Sequence, residues 1–326
     1  MSADLVDVIG GSFAASALLA LQETGSLDRL VEPVSAPDLA TATGSDPALL
    51  GGLLTFLAGA TSIVEQDNGR FQLALPYRRY NTLGFQLDKF LRAYGPAMAS
   101  LGRSLTGTAD RQALVNRAAL ANAFARRTST PPTLTAELLR AWSVTALLDL
   151  GCGAGSLLIE LAGGNPEFRG WGLDASAEMV AAATAGAQEA GVAHQLGFDV
   201  ADARGIVADT VPALPPTAAL HARSLLNEFF ASGPEVAVEV LTQIRQAFPD
   251  RLIFIEDYYG RLGVECEADF RHARLQDMVQ LASAQGVPPP DLAAWAEVYA
   301  KAGCSLLHAY EGTDDGVAWF IHVCAL

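Results

Sequence analysis

The stretch LLDLGCGAGSLLIELA at residues 147–162 constrains this chain more than any other. An apolar run closes on Asp149 and Leu150, glycines alternate at Gly151, Gly153 and Gly155, and a second apolar run begins at once. The first run reads as a strand and the second as a helix. The glycines form the turn between them, where backbone can approach a neighbour that a Cβ atom would obstruct. In an open α/β sheet, ligands bind at such a place, beyond the carboxyl end of a strand.

From about residue 145 short apolar runs alternate with helical segments: TALLDL, RGWGLD, AHQLGFD, TAALHARSLL, RLIFIED, SLLHAYE and VAWFIHVCA. This alternation predicts an α/β fold with a Rossmann-like doubly wound sheet over residues 141–326. The last two runs lie close together and are expected to pair antiparallel at one edge.

Residues 1–140 have a different texture and are expected to form a helical domain. DLVDVIGGSFAASALLALQETGSLDRL has apolar residues at helical spacing. A helix is expected from Pro37, a turn at Gly44-Ser45-Asp46 and a second helix from Pro47. A hairpin of SIVEQ and RFQLA about Asp67-Asn68-Gly69 follows. Helix, turn, helix, hairpin is a winged-helix pattern. DNA binding is nevertheless disfavoured: residues 1–90 carry ten acids and five bases, and the second helix has no Lys or Arg. Its apolar surface suits a buried or dimer-forming element. Residues 91–140 are helical with seven arginines, interrupted by STPPT at 129–133.

The net charge of −15 is unevenly distributed: residues 1–140 hold 12 bases and 12 acids, residues 141–326 hold 9 and 24. Such a surface repels nucleic-acid backbones. No window of about 18 uninterrupted apolar residues occurs, so no membrane span is expected. Asp4 and Asp7 precede the apolar N-terminal stretch where a signal peptide would be basic. Cys152, Cys266, Cys304 and Cys324 are spaced neither for a zinc knuckle nor for a disulfide framework, which fits a reduced, cytoplasmic setting.

Alternating glycines alone can serve a dinucleotide or merely a tight turn. Two details narrow the reading. Asp149, two residues before the first glycine, suits a cationic group, and the third glycine follows at a spacing of two rather than the three of the dinucleotide fingerprint. Asp174 ends the next strand, where an acid can accept both hydroxyls of a ribose, with Ala175 beside it. Asp199 and Val200 end the third strand, where the acid can take an adenine amino group and the Val200 amide can donate to the ring. Any one of these acids can equally be a helix cap, as can Asp202; three in register imply a ligand with ribose, adenine and a cationic amino-acid tail, S-adenosylmethionine. LLDLGCGAG, then Asp174, then Asp199 resembles the class I S-adenosylmethionine-dependent methyltransferases. With ANAFARRTSTPPTLTAELLRAW and DLAAWAEVYAKAGC, the chain resembles their two-domain small-molecule O-methyltransferase architecture. That resemblance implies a homodimer formed through the N-terminal domain, which also helps wall the substrate pocket.

The fourth strand ends HARSLLNEFF. Members of that family place a general-base His where Asn227 stands, followed by an acid, here Glu228, and an aromatic, here Phe229. The absent His argues against phenol O-methylation by a histidine base, and it leaves a metal-binding set incomplete, with His272 as a single candidate ligand. His221, six residues earlier, reads as structural. An Asn oxygen can accept from an N–H donor, and Glu228 can pair with a cationic substrate. Glu256 stands where the family has an active-site Glu, and Asp257, Tyr258 and Tyr259 follow it; either tyrosine can add a cation–π face. Glu256 and Asp257 can also be a solvated strand end, and Glu228 can compensate a helix N-terminus. His272, Gln276 and Gln280 share one helix face that can line the pocket or face solvent. Arg126 and Arg127 can bind a substrate carboxylate or lie on the surface.

The expectation is therefore a cytoplasmic, dimeric methyltransferase of a small metabolite, with no resident metal. Asn227, Glu228 and Glu256 are its catalytic candidates. Arg127, Tyr258, His272 and Gln276 are its substrate-binding candidates. Nitrogen methylation of a cationic amino-acid-like molecule, such as the guanidino group of arginine, is the leading reading. C-methylation of an α-keto acid is the runner-up and O-methylation the third. The chain also resembles the bacterial natural-product branch that includes ketoarginine-type methyltransferases.

Overall fold

The computed structural model describes residues 4–79, 82–125, 134–206, 211, 215, 217–265, 271–314 and 317–326. The chain divides into two compact units, Met1–Ala93 and Tyr94–Leu326.

In the first unit, helix Leu5–Glu23 starts on a reciprocal cap between Asp4 and Asp7. Helix Ala36–Thr43 is capped by Ser35 and ends on Gly44 at φ 67°, and helix Pro47–Ala60 is capped by Asp46. Strands β1 (Val34–Ser35), β2 (Val64–Asp67) and β3 (Arg70–Leu73) form an antiparallel sheet in the order β1-β3-β2. Asn68 and Gly69, at φ 47° and 75°, make the β2–β3 turn where the pattern predicted it. Leu21, Leu30, Leu39, Leu54, Leu57 and Phe71 form the core. Helix Leu5–Glu23 is long and apolar enough to cross a membrane by length and composition alone. Asp7, Ser12 and Ser16 interrupt its apolar residues, so no uninterrupted apolar run marks it in the sequence. Its Ala14, Ala17, Leu18 and Leu21 are buried in the core of the unit, whereas Leu5, Val6, Val8, Ile9 and Phe13 are exposed.

The second unit is built on a seven-stranded sheet. Its strands are β4 (Ala146–Leu150), β5 (Arg169–Asp174), β6 (Leu196–Val200), β7 (Ala219–Arg223), β8 (Leu252–Tyr258), β9 (Ser305–Asp314) and β10 (Val317–Ala325), in the order β6-β5-β4-β7-β8-β10-β9. The pairs from β6 to β8 are parallel; β8–β10 and β10–β9 are antiparallel, as expected of the two C-terminal runs. The sheet is covered on both faces. Helices Leu134–Ala141, Ser156–Gly164 and Ala177–Glu189 contribute to a core with Leu147, Ala219 and Phe254. Helices Glu235–Ala247 and Leu292–Lys301 contribute to a core with Leu148, Leu220, Ile253 and Ile255. Each fully buried Leu, Ile or Phe among them contributes about 1.5–3 kcal/mol. Because β4 is buried on both faces, it reads as an unbroken apolar run except for Asp149.

The division between units falls earlier than the residue 140 boundary read from the sequence. Helix Arg117–Ala125 packs on Ala177–Glu189, Leu134–Ala141 packs on Ser156–Gly164, and Gly95–Ala99 packs on Arg271–Ala282. Ala136 and Leu139 of Leu134–Ala141 join a core of the second unit, although the arginine-rich texture of 91–140 resembles the N-terminal part. Strand β8 also runs further than its apolar pattern. Trp319 pairs with Tyr258 and Phe320 with Asp257, so Glu256 lies within the strand rather than at its end.

Candidate active site

The strand order reverses on either side of β4, and the crevice beyond its carboxyl end is the ligand-binding place of such a sheet. Gly151, Gly153 and Gly155 adopt φ of 70°, 54° and 73°, a region open to glycine at little cost. The Gly151 and Cys152 amides donate to the Leu173 carbonyl at 2.8 and 2.9 Å, which ties the turn to β5. A Cβ at Gly155 would lie 2.9 Å from the Ala183 methyl and from the Phe198 ring, so this glycine serves close packing. A Cβ at Gly153 would meet nothing within 4 Å; its backbone faces open space.

Asp174 is held rigidly at the end of β5. One carboxylate oxygen accepts from the Gly153 amide and the other from the Ser176 amide, both at 2.9 Å. Burial raises its pKa against the lowering effect of those two amides. Each oxygen keeps a further acceptor site for a hydroxyl. Ala175, Asp199 and Val200 are exposed along the same rim, and Asp199 accepts from the Trp171 indole at 3.2 Å. Asp202 caps a short 3₁₀ turn and pairs with Arg204 at 2.5 Å, so its place is structural. An open glycine backbone, an anchored carboxylate and an exposed acid in register on β4, β5 and β6 fit a nucleoside carrying an amino-acid tail.

Asp149 is 3 % exposed, and a carboxylate so buried requires a partner. It has one in His221, whose Nδ1 lies 2.7 Å away. The parallel register sets Asp149 directly opposite His221, and Arg223 opposite Glu256. Arg223 Nε donates to Glu256 at 3.0 Å, the Thr135 hydroxyl donates to Glu256 at 2.5 Å, and His221 Nε2 lies 3.8 Å from Glu256. Burial opposes the charge on His221 and on Glu256. The Asp149 and Glu256 carboxylates nonetheless raise His221 to about 9, and Arg223 and His221 hold Glu256 at about 2. Glu256, expected beside Asn227, is thus drawn into a network on the opposite face of β8.

The carboxylate brought to Asn227 is Asp257, which accepts from the Asn227 amide at 3.1 Å. The pleat explains the exchange, since consecutive strand residues face opposite ways. Asn227 is 2 % exposed, and its side-chain oxygen has no hydrogen-bond partner among the described residues. Burial pushes Asp257 up to about 8 despite its two backbone donors. Burial and the Asp174 charge likewise push Glu228 to about 7, against Arg117 and a hydrogen bond from Gln285. Glu228 thus feels the negative charge of Asp174 and follows Asn227 directly in the chain.

Tyr258 is buried, and its hydroxyl donates to Asp277 at 2.9 Å. Tyr259 bonds Glu311 and His322 on the other face and carries the Arg261 guanidinium over its ring. His272 and Gln276 are partly buried and engaged on helix Arg271–Ala282. Gln280, one turn on, is buried with its side-chain oxygen unpartnered among the described residues. Arg126 and Arg127 lie outside the described residues. Sequence reasoning passed over Arg117, Asp277 and Gln285. Asp277 anchors Tyr258 and the amides of Arg261 and Leu262, and only tertiary packing reveals it. Cavities of about 310 and 370 Å³ are present; neither is lined by Asn227, Glu228 or Glu256, and the second borders Asp199. Among the described residues, no group of three His, Cys, Asp or Glu side chains can hold a metal ion.

Residues 143–211, which hold the glycine turn and its acids, match the family model for a methyltransferase domain. The chain carries a methyltransferase domain. Its cofactor is S-adenosylmethionine. No curated protein matches the chain significantly in sequence. Solved structures resemble the methyltransferase over nearly its full length. The mitomycin 7-O-methyltransferase MmcR is 19 % identical with a TM-score of 0.71, covering 98 % of this chain and 96 % of that one. PigF with S-adenosylhomocysteine is 17 % identical with a TM-score of 0.70, covering 97 % and 98 %. The N,N-8-amino-8-demethyl-D-riboflavin dimethyltransferase RosA from Streptomyces davawensis is 21 % identical with a TM-score of 0.59, covering 95 % of each chain. At these identities the likeness establishes the fold of the methyltransferase: a mostly parallel α/β sheet with an N-terminal helical region.

Proposed function

We propose that the methyltransferase transfers its methyl group to a nitrogen of a small cationic metabolite, an amine or a guanidine such as that of arginine. The observation that carries this reading is the Asn227 side-chain oxygen, buried without a partner among the described residues and flanked by Glu228 and Asp257. An orphaned buried acceptor is costly unless a ligand supplies the donor. A nitrogen nucleophile brings N–H groups to such a wall, and its positive charge suits the carboxylates. The dimethyltransferase RosA, named for a nitrogen-bearing substrate, shares the fold, so nitrogen chemistry is compatible with this scaffold.

In this reading, Asp149, Asp174, Ala175, Asp199, Val200 and the Gly151–Gly155 turn hold S-adenosylmethionine, which supplies an electrophilic methyl group on a cationic sulfur. Asn227 orients the nitrogen, and Asp257 fixes the backbone that carries Asn227. The Glu228 carboxylate accepts the proton the nitrogen loses, a role that suits a base titrating near neutrality. Glu256 acts as an organiser of the strand ends. His272 and Gln276, on helix Arg271–Ala282, are assigned to the substrate side. A labelled-methyl screen against amines, guanidines, α-keto acids and phenols, with mass spectrometry to locate the label, tests the proposal. Label on nitrogen is the expected result; label on carbon or oxygen overturns it.

We further infer that the N-terminal unit is a winged-helix dimerisation element. Exposed Leu5, Val6, Val8, Ile9 and Phe13 on helix Leu5–Glu23 supply an apolar surface for a second copy. Light scattering should give twice the 34.2 kDa chain mass, and a monomeric mass overturns the inference.

A further inference from the structure

We infer that His221 is a positioning residue, fixing the Asp149 carboxylate toward the cofactor's amino group with one ring nitrogen and facing Glu256 with the other. It rests on the reading that Asp149 receives that amino group. The geometry comes from the sheet itself. β7 lies between β4 and β8, the parallel register puts His221 opposite Asp149, and Glu256 lies two residues beyond the partner of His221 on β8. The ring is 1 % exposed, with Nδ1 2.7 Å from Asp149 and Nε2 3.8 Å from Glu256. Nε2 faces the Glu256 carboxylate from beyond direct hydrogen-bond distance, so its attraction to Glu256 is that of charge, whereas Nδ1 is bonded to Asp149.

The charged and polar groups facing the ring come from every element around it: Asp149 on β4, Glu256 on β8, and Arg223 and Thr135 through Glu256. Two carboxylates and two cations balance in this buried space, and the raised His221 pKa of about 9 agrees with a protonated ring at neutral pH. A buried carboxylate without its cation would lose its fixed charge and orientation. The ends of β4 and β8 thereby share one anchored group on this face of the sheet.

Two substitutions separate positioning from packing. His221→Asn keeps an amide N–H near the place of Nδ1, whereas His221→Gln carries its N–H near the place of Nε2. By calorimetry with S-adenosylmethionine alone, His221→Gln should weaken binding about tenfold and His221→Asn less than about threefold, the scale of one charge-assisted hydrogen bond. Equal affinities for both variants and wild type, with lowered melting temperatures only, overturn the inference. Asp149→Asn is measured alongside. If it binds as wild type, the reading of Asp149 fails and the inference falls with it; if it binds weakly while His221→Gln binds normally, only the inference falls. Should the His221 variants fail to fold, nitrogen-15 spectra of wild-type histidines decide. The His221 Nδ1 resonance should move on addition of S-adenosylhomocysteine, and an unmoved resonance overturns the inference.

Discussion

The Asn227 amide donates to Asp257 at 3.1 Å, fastening the turn after β7 to the adjacent strand. That bond fixes the backbone from which Glu228, the next residue, projects, within reach of the Asp174 charge. The proposed reaction depends on this placement, and Glu228 is the residue through which to test it.

Glu228→Gln preserves shape and removes the base. Turnover on the true substrate should fall about 100-fold or more, the usual contribution of a positioned base. Affinity for S-adenosylmethionine should stay within about twofold. Steady-state kinetics and calorimetry together check the split.

The acid limb of the pH profile belongs to the same residue. Burial, then the Asp174 charge, holds the Glu228 proton on up to about 7. A base works only after losing that proton. Hence kcat/KM should rise about tenfold per pH unit below 7 and level off above it, while Glu228→Gln should lose this limb.

Glu256 carries a stability prediction with the opposite sign. Arg223 and His221 hold its carboxyl at about 2 although burial opposes the charge. Its contribution is present above the unfolded-state value of 4.5 and is lost as pH falls from there toward 2. Glu256→Gln, which leaves the partly exposed Arg223 without its carboxylate, should destabilise the protein by about 1–2 kcal/mol, less than a fully buried pair because solvent screens Arg223. Denaturant titration at pH 7 measures that loss.

Two glycines should respond differently to alanine. Gly155→Ala places a methyl 2.9 Å from Ala183 and Phe198 at φ 73°, so the loss of melting temperature should be large. Gly153→Ala meets nothing within 4 Å and costs only the backbone conformation, about 1–2 kcal/mol. It should fold, yet weaken cofactor binding because the added methyl occupies the open side of the turn. Thermal melts with and without S-adenosylmethionine distinguish the two.

Chelation should leave turnover unchanged, since His272 is not accompanied by a ligand set among the described residues. Activity assayed before and after dialysis against a chelator checks this.

The strands of the sheet were legible because central parallel strands are buried on both faces and read as compact apolar runs. The glycine turn and Asp174 were legible because their backbone conformation and spacing are local properties. The Asp149–His221 pair was not, since it exists only once β4 and β7 are aligned in register. The roles of Glu256 and Asp257 depended on pleat phase and on β10 extending β8 beyond its apolar stretch. Arg117, Asp277 and Gln285 reach the site from helices or a loop whose docking no short pattern encodes.

Alternation along β8 has one further consequence. Glu256 and Asp257 are chain neighbours, yet each answers to a different side of the molecule: one to the imidazole and guanidinium below the glycine elbow, the other to the loop bearing Asn227. A single-residue insertion or deletion within 252–255 would swap their allegiances, disabling both at once. Point substitutions, by contrast, can retune either acid while its neighbour keeps its post.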